Sequence, residues 1–176
     1  MILAFAILAA TMTQLSDVAT AVKTDMVPPC PDFCVTGTVA YAIFFGGDLC
    51  QVLLEDNGVG TKITSESKPS YTPRIGDIVR MDGYITPVGQ GDVRPKFRNI
   101  EILGHADAPA PHEETAADIM SGRYDFQRSL LVGELRDVEP SGTSPNFNYL
   151  SLIADGQCYY VPIPSRGATL AELEAL

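Results

Sequence analysis

Two stretches of this 176-residue chain carry the same short pieces in the same order. LSDVATAV precedes VTGTVAYAIFF and VLLEDNG in the first half, and TAADIMSG precedes LVGELRDVEP and SLIADGQ in the second. Gly37 then aligns with Gly133 and Asp56 with Asp155. A period of this kind points to two copies of one small unit rather than a single large domain. Glycine punctuation is common in strands, so the match rests on the order of the pieces: helix, strand, turn, strand, turn, strand.

The first block reads as a run of strands. CVTGTVAYAIFF is rich in β-branched and aromatic residues, Gly46-Gly47-Asp48 supplies a turn, CQVLLED returns, Asn57-Gly58 is a strong hairpin signal, and VGTKIT forms a third strand. After a polar stretch, RIGDIVRMDGYI predicts a fourth strand and KFRNIEILG a fifth. Five short strands suit a small closed barrel, which leaves no edge exposed to pair with other chains.

The expected fold is therefore all-β: two consecutive OB-like five-stranded barrels, each preceded by a short helix. The first spans residues 15–104, and residues 105–114, rich in Ala, Pro and acids, form a linker with no regular ladder. The second spans 115–176, where Thr115 caps a short helix, Asp118 completes a capping box and Gly122 stops it. CYYVPIP is its third strand, and GATLAELEAL places Leu170, Leu173 and Leu176 at helical spacing. The second barrel is thus truncated after its third strand and helix. A half barrel leaves backbone groups unpaired, so the chain is expected to be a piece of a longer one.

Residues 1–14 read as a signal peptide or N-terminal apolar segment. The run from Ile2 to Ala10 is too short to span a bilayer, which takes about 20 apolar residues. Small-residue cleavage patterns fall near Ala9 and Ala10 or from Ala19 to Ala21, although no basic residue precedes the apolar run. The expectation is an exported protein, periplasmic or extracellular, with a buried amphipathic N-terminal helix as the alternative. Membrane contact is expected only through segments outside this chain or an uncleaved N-terminus. Of the four cysteines, Cys34 and Cys50 fall at opposite ends of one hairpin and are too far apart to bridge. A Cys30–Cys34 disulfide stays open beside the alternative that all four thiols are reduced.

No GxSxG, HExxH or CxxC occurs, and His105 and His112 both stand in the linker, so neither an enzyme nor a metal or cofactor site is expected. The formal net charge of -10 disfavours nucleic acid as a partner. Charge is nevertheless segregated. Lys62, Lys68, Arg74, Arg80, Arg94, Lys96 and Arg98 all lie between the third and fifth strands, while the linker and second block are acidic. OB barrels bind along one face and through the loops after the first and fourth strands, here Phe44 to Leu49 and Thr86 to Lys96. The candidate ligand-binding residues are accordingly Phe44, Phe45, Tyr84, Arg94, Lys96, Phe97 and Arg98, aromatic faces beside cations. The competing assignment puts the aromatics in the barrel core and the cations in solvent.

VTGTV from Val35, IGDIVRMDGYITP from Ile75, IEILG from Ile100 and SGRYDFQ from Ser121 resemble the tandem OB-like extracytoplasmic region of bacterial sensor histidine kinases. The resemblance covers about residues 15 to 176, and every motif in it is one that barrels of many functions need. It implies a non-catalytic sensing or docking module, its partner an unidentified small ligand or protein, with a membrane span and kinase domains beyond Leu176. The alternative is a secreted OB-fold protein that binds single-stranded nucleic acid or oligosaccharide, accessory to a nuclease.

Overall fold

Along the first block, buried and less buried side chains alternate, the two-residue period of strands with one face on a core. The structure is a computed structural model, and it describes residues 11–24, 31–44, 49–89, 92–123, 125–140 and 147–164. Five strands, β1 (Asp32–Phe44), β2 (Cys50–Asp56), β3 (Val59–Ser65), β4 (Asp77–Gly89) and β5 (Asp92–His105), close into a barrel in the order β1-β2-β3-β5-β4. Neighbours are antiparallel except β3 and β5, which run parallel where Thr64 faces Lys96 and Ser65 faces Phe97. This is an OB-fold barrel. The β2–β3 turn is made by Asn57 (φ 50) and Gly58 (φ 74), two successive left-handed residues whose twist matches that of the strands they join.

The interior is filled by Phe33, Val35, Val52, Leu54, Met81 and Phe97, among others, all at most 1% exposed. Helix α1 (Leu15–Lys23) packs against β1, β3 and β5 and sends Leu15, Val18 and Ala21 into the same cluster. A helix reaches the inside of a closed cylinder only at its mouth, so α1 acts as the stopper. Just before it, Met12 donates its N–H to the Asp32 carbonyl (2.9 Å) and accepts from the Cys34 N–H (2.8 Å). Met12, within the expected signal segment, is therefore bonded onto β1, and Ala19 to Ala21 lie inside α1. Residues 1–10, including Ala9 and Ala10, lie outside the described residues.

Two expectations change. The loop placed at Thr86 to Lys96 is mostly strand, because β4 runs on to Gly89 and β5 begins at Asp92, with Thr86 facing Arg94 and Pro87 facing Val93. Burial of Ile85, Val93 and Pro95 outweighs the turn signal of Pro87. The segment read as a ladder-free linker opens with His105 still in β5, and His112–Glu113 forms a two-residue strand, β6.

A buried carboxylate secures the start of β4. Asp77, its side chain 7% exposed, accepts from the Tyr71 hydroxyl (2.9 Å) and the Arg74 N–H (2.8 Å), and lies 3.0 Å from His105 Nδ1 at the end of β5. Burial opposes its charge, but the Arg74 N–H and the His105 and Tyr71 bonds outweigh burial and hold the carboxyl below the ordinary aspartate range. The Gly-Asp of the IGDIV motif is thus a knot joining the β3–β4 connection to β5.

The described residues fall into two units, one running to His112 and including 125–128, the other comprising 113–123 and 129 onward. The second holds α2 (Ala116–Ser121), the two-residue β7 (Ser129–Leu130), β8 (Glu134–Pro140), β9 (Phe147–Ala154) and β10 (Gln157–Pro164). Its last three strands form an antiparallel sheet ordered β10-β9-β8. Asp155 (φ 49) and Gly156 (φ 74) make the same left-handed pair as Asn57 and Gly58. The capping box of Thr115 and Asp118 is present, Gly122 ends α2 at φ 66, and Asp155 accepts the Ala116 N–H at 3.2 Å. The C-terminal helix expected over GATLAELEAL lies outside the described residues.

Two stability measurements check these roles. Val18→Ala is expected to cost about 2 kcal/mol in urea unfolding through lost burial and the cavity left behind; an unchanged midpoint would mean that α1 is no part of the core. Asp77→Asn is expected to cost about 1–3 kcal/mol at neutral pH, where unfolded and folded aspartate are both charged and the bonds are intact. A depressed carboxyl contributes above its unfolded pKa and loses that contribution as pH falls through its folded pKa. The gap between variant and wild type should therefore narrow at acid pH below the ordinary aspartate range. A gap that stays constant would remove the charge from the account.

Candidate functional site

Strand alternation turns Gln51, Thr64, Lys96 and Tyr84 outward, and the register sets them in one row across β2, β3, β5 and β4. Gln51 Nε2 donates to Thr64 Oγ1 at 3.4 Å within this row. Barrel strands are staggered, so the row leaves β1 at Ile43 and returns to it at Asp32. Thr86 and Arg94 are paired two residues further along β4 and β5.

Arg98 fixes the aromatic member of the row. Its guanidinium carbon stands 4.5 Å from the Tyr84 ring centre, within cation–π range. It also pairs with Asp32 (3.2 Å) and Glu66 (3.9 Å), and the Tyr84 hydroxyl donates to Glu66 at 3.0 Å. The bond to Glu66 pushes the phenol upward, so Tyr84 stays protonated at neutral pH. Arg98 is thus a positioning residue with compensated charge. Lys96 takes part in none of the ion pairs of the described residues.

The other sequence candidates are spread apart. Phe97 is 1% exposed and belongs to the barrel core, because it falls on the inward phase of β5 beside Gly83 and Ser65, so it has no face to offer a ligand. Phe44 is 45% exposed at the end of β1, and Phe45 lies outside the described residues. Arg80 pairs with Glu101 on the neighbouring strand, and Arg74 serves Asp77 through its backbone N–H. Cys34, Cys50 and Cys158 are free thiols; Cys30 lies outside the described residues. Burial pushes the Cys50 thiol up to about 11, which makes it a packing group and not a nucleophile.

A second feature had only the SGRYDFQ motif as its signal. Residues 125–128 lie along the outward side of the β2–β3 hairpin. The Arg128 N–H donates to Glu55 Oε1 (2.6 Å), the Arg128 guanidinium donates to the Pro109 carbonyl (2.7 Å), and Lys62 Nζ sits 5.5 Å from the Phe126 ring centre. A Cβ on Gly60 would collide with the Phe126 carbonyl, so glycine is required there by close approach. Glu55 is 7% exposed although it lies on the outward phase of β2, opposite Gly60. Burial raises its pKa, against the Arg128 N–H and the charges of His112 and Arg128, which lower it.

Among the described residues no three His, Cys, Asp or Glu side chains gather in a way that could hold a metal ion, and no helix is long and apolar enough to cross a membrane. The arrangement offers hydrogen-bonding groups, cations and one fixed aromatic ring on a sheet face.

Neither protein-family models nor curated proteins give a match to the sequence. Solved structures similar to it include the S. pombe Stn1-ten1 complex, at 19% identity over 45% of this chain and 62% of that one, with a TM-score of 0.34. Another is the asparaginyl-tRNA synthetase from Pyrococcus horikoshii, at 10% identity over 53% of this chain and 23% of that one, with a TM-score of 0.38. The chain thus spans less than two thirds of either. The expectation that nucleic acid is disfavoured as a partner is corrected here: it rested on the whole-chain charge, which is a poor guide when seven of the twelve Lys and Arg residues fall between Lys62 and Arg98 of one barrel.

Proposed function

We propose that the barrel is a non-catalytic binding module whose outward Tyr84–Lys96 row takes a single-stranded nucleic acid. One observation supports this above others: Lys96 and Arg94 follow one another on the outward phase of β5, beside a Tyr84 ring held in place by Arg98 and Glu66. Stacking faces next to cations suit bases and phosphates together, and Gln51 and Thr64 extend the row with neutral donors and acceptors. An oligosaccharide needs the ring and the hydroxyls but not the cations, which favours nucleic acid between the two.

The second unit is read as the first three strands of another barrel of the same kind. A short helix, a three-stranded meander and a left-handed turn between the meander's last two strands repeat the features of the first. A sensing or docking role ahead of a membrane-bound kinase rests on the sequence resemblance and remains the reading to return to if nucleic acid fails.

Fluorescence anisotropy with a labelled oligo-dT tests the proposal. Binding should weaken with added salt at a log–log slope of about -0.7 per phosphate contact, and Lys96→Ala or Arg94→Ala should make that slope shallower. Tyr84→Ala should cost about 1–3 kcal/mol of binding energy. Absence of binding, or binding indifferent to salt and to Lys96→Ala, would overturn the reading.

A further inference from the structure

The outward side of β2 and β3 continues from the binding row without a break. Gln51 faces Thr64, Leu53 faces Lys62 and Glu55 faces Gly60, so a strand lying on Lys96 and Thr64 and running along the hairpin arrives at Lys62 and Glu55. That end of the strip is already filled by residues 125–128. Their contacts resemble what a base would make: an aromatic ring beside the Lys62 ammonium, and an N–H donated to the Glu55 carboxylate. Every nucleobase carries a ring face and an N–H on its pairing edge.

The segment is also an imperfect tenant. Phe126 sits at φ 62, a left-handed conformation that a bulky residue rarely adopts. Gln127 Oε1 is buried without a hydrogen-bond partner. Both oppose docking, while the Arg128 N–H, the Arg128–Pro109 bond and the ring over Lys62 favour it. A contact balanced in this way is open to displacement by a ligand that satisfies Lys62 and Glu55 without the strain.

We propose that the Glu55–Gly60–Lys62 end of the strip is a nucleobase subsite, which Phe126 to Arg128 occupies in cis until a strand displaces it. The inference rests on the proposed nucleic-acid reading and deepens it. It requires ligand and strap to exclude one another, and the gain on removing the strap to depend on bases and not on phosphates.

Two variants of the full chain release the strap from its two ends. Phe126→Ala removes the ring, and Arg128→Ala removes the guanidinium bond to the Pro109 carbonyl. Thermal melts confirm that each is folded, and either alone suffices if the other is not. Both are expected to tighten oligo-dT binding about tenfold, the factor by which a mostly closed strap lowers apparent affinity, and to leave binding of an abasic oligomer of equal length unchanged. In the wild-type chain the Arg128 amide should lose hydrogen-exchange protection as oligo-dT saturates. Unchanged or weaker oligo-dT binding by the folded variants, an equal gain for the abasic oligomer, or an Arg128 amide that stays protected would overturn the subsite alone. Failure of wild type and variants to bind either probe would overturn the nucleic-acid reading and the subsite with it.

Discussion

A short parallel contact holds the first unit together as a cylinder. β3 and β5 meet only at Thr64–Lys96 and Ser65–Phe97, with the Glu66 N–H donating to the Phe97 carbonyl at 2.9 Å. Without that contact the strands would form one open sheet ordered β3-β2-β1-β4-β5, with β3 and β5 as its two exposed edges. With it, every strand has two neighbours and the interior is sealed. Ser65, 1% exposed, reinforces the closure by accepting the Cys50 N–H at 2.8 Å, which ties β2 to the same place. Closure also creates the outward row, since Lys96 and Tyr84 come beside Thr64 and Gln51 only across the β3–β5 seam.

The two faces of each strand therefore have different tasks. Inward, Phe97, Phe33 and Leu54 fill the barrel and α1 stops its mouth. Outward, the strip runs from the cationic end at Lys96 to the covered end at Glu55, and the strap is the piece of later sequence that reaches back to cover it. β3 joins the two ends, with Thr64 beside Lys96 and Lys62 beneath the strap, so on the proposed reading a ligand long enough to span them couples strap release to binding.

Much of this was legible in the sequence. The five strands, the Asn57-Gly58 turn and the Thr115–Asp118 capping box follow from local chemistry, because hairpin turns and caps are specified within four residues. The helix ahead of each block follows from the repeat, which set Asp155 against Asp56, while the turn geometry matches Asp155-Gly156 with Asn57-Gly58, one residue on. What stayed hidden depends on contacts distant in sequence. Nothing near Phe97 distinguishes it from Tyr84: both are aromatics in basic, β-rich surroundings, and only the register of β5 against β4 and β3 sends one inward and leaves the other outward. Thr86 to Lys96 read as a loop, yet the pairing of Thr86 with Arg94 and the burial of Ile85 carried the strands through it. The row of Gln51, Thr64, Lys96 and Tyr84 draws one residue from each of four strands, so no window of sequence contains it. Net charge misled for a related reason, since it sums over units that the fold keeps distinct.

Everything outward depends on the seam being closed, and amide hydrogen exchange on the isotope-labelled chain tests it most directly. If β3 and β5 are joined, the Glu66 amide exchanges only through global unfolding, as slowly as the amides inside the β1–β4 ladder. If Glu66 exchanges at the rate of a solvent-exposed loop while that ladder stays protected, β3 is an edge, the barrel is open, and the outward row of Gln51, Thr64, Lys96 and Tyr84 does not exist.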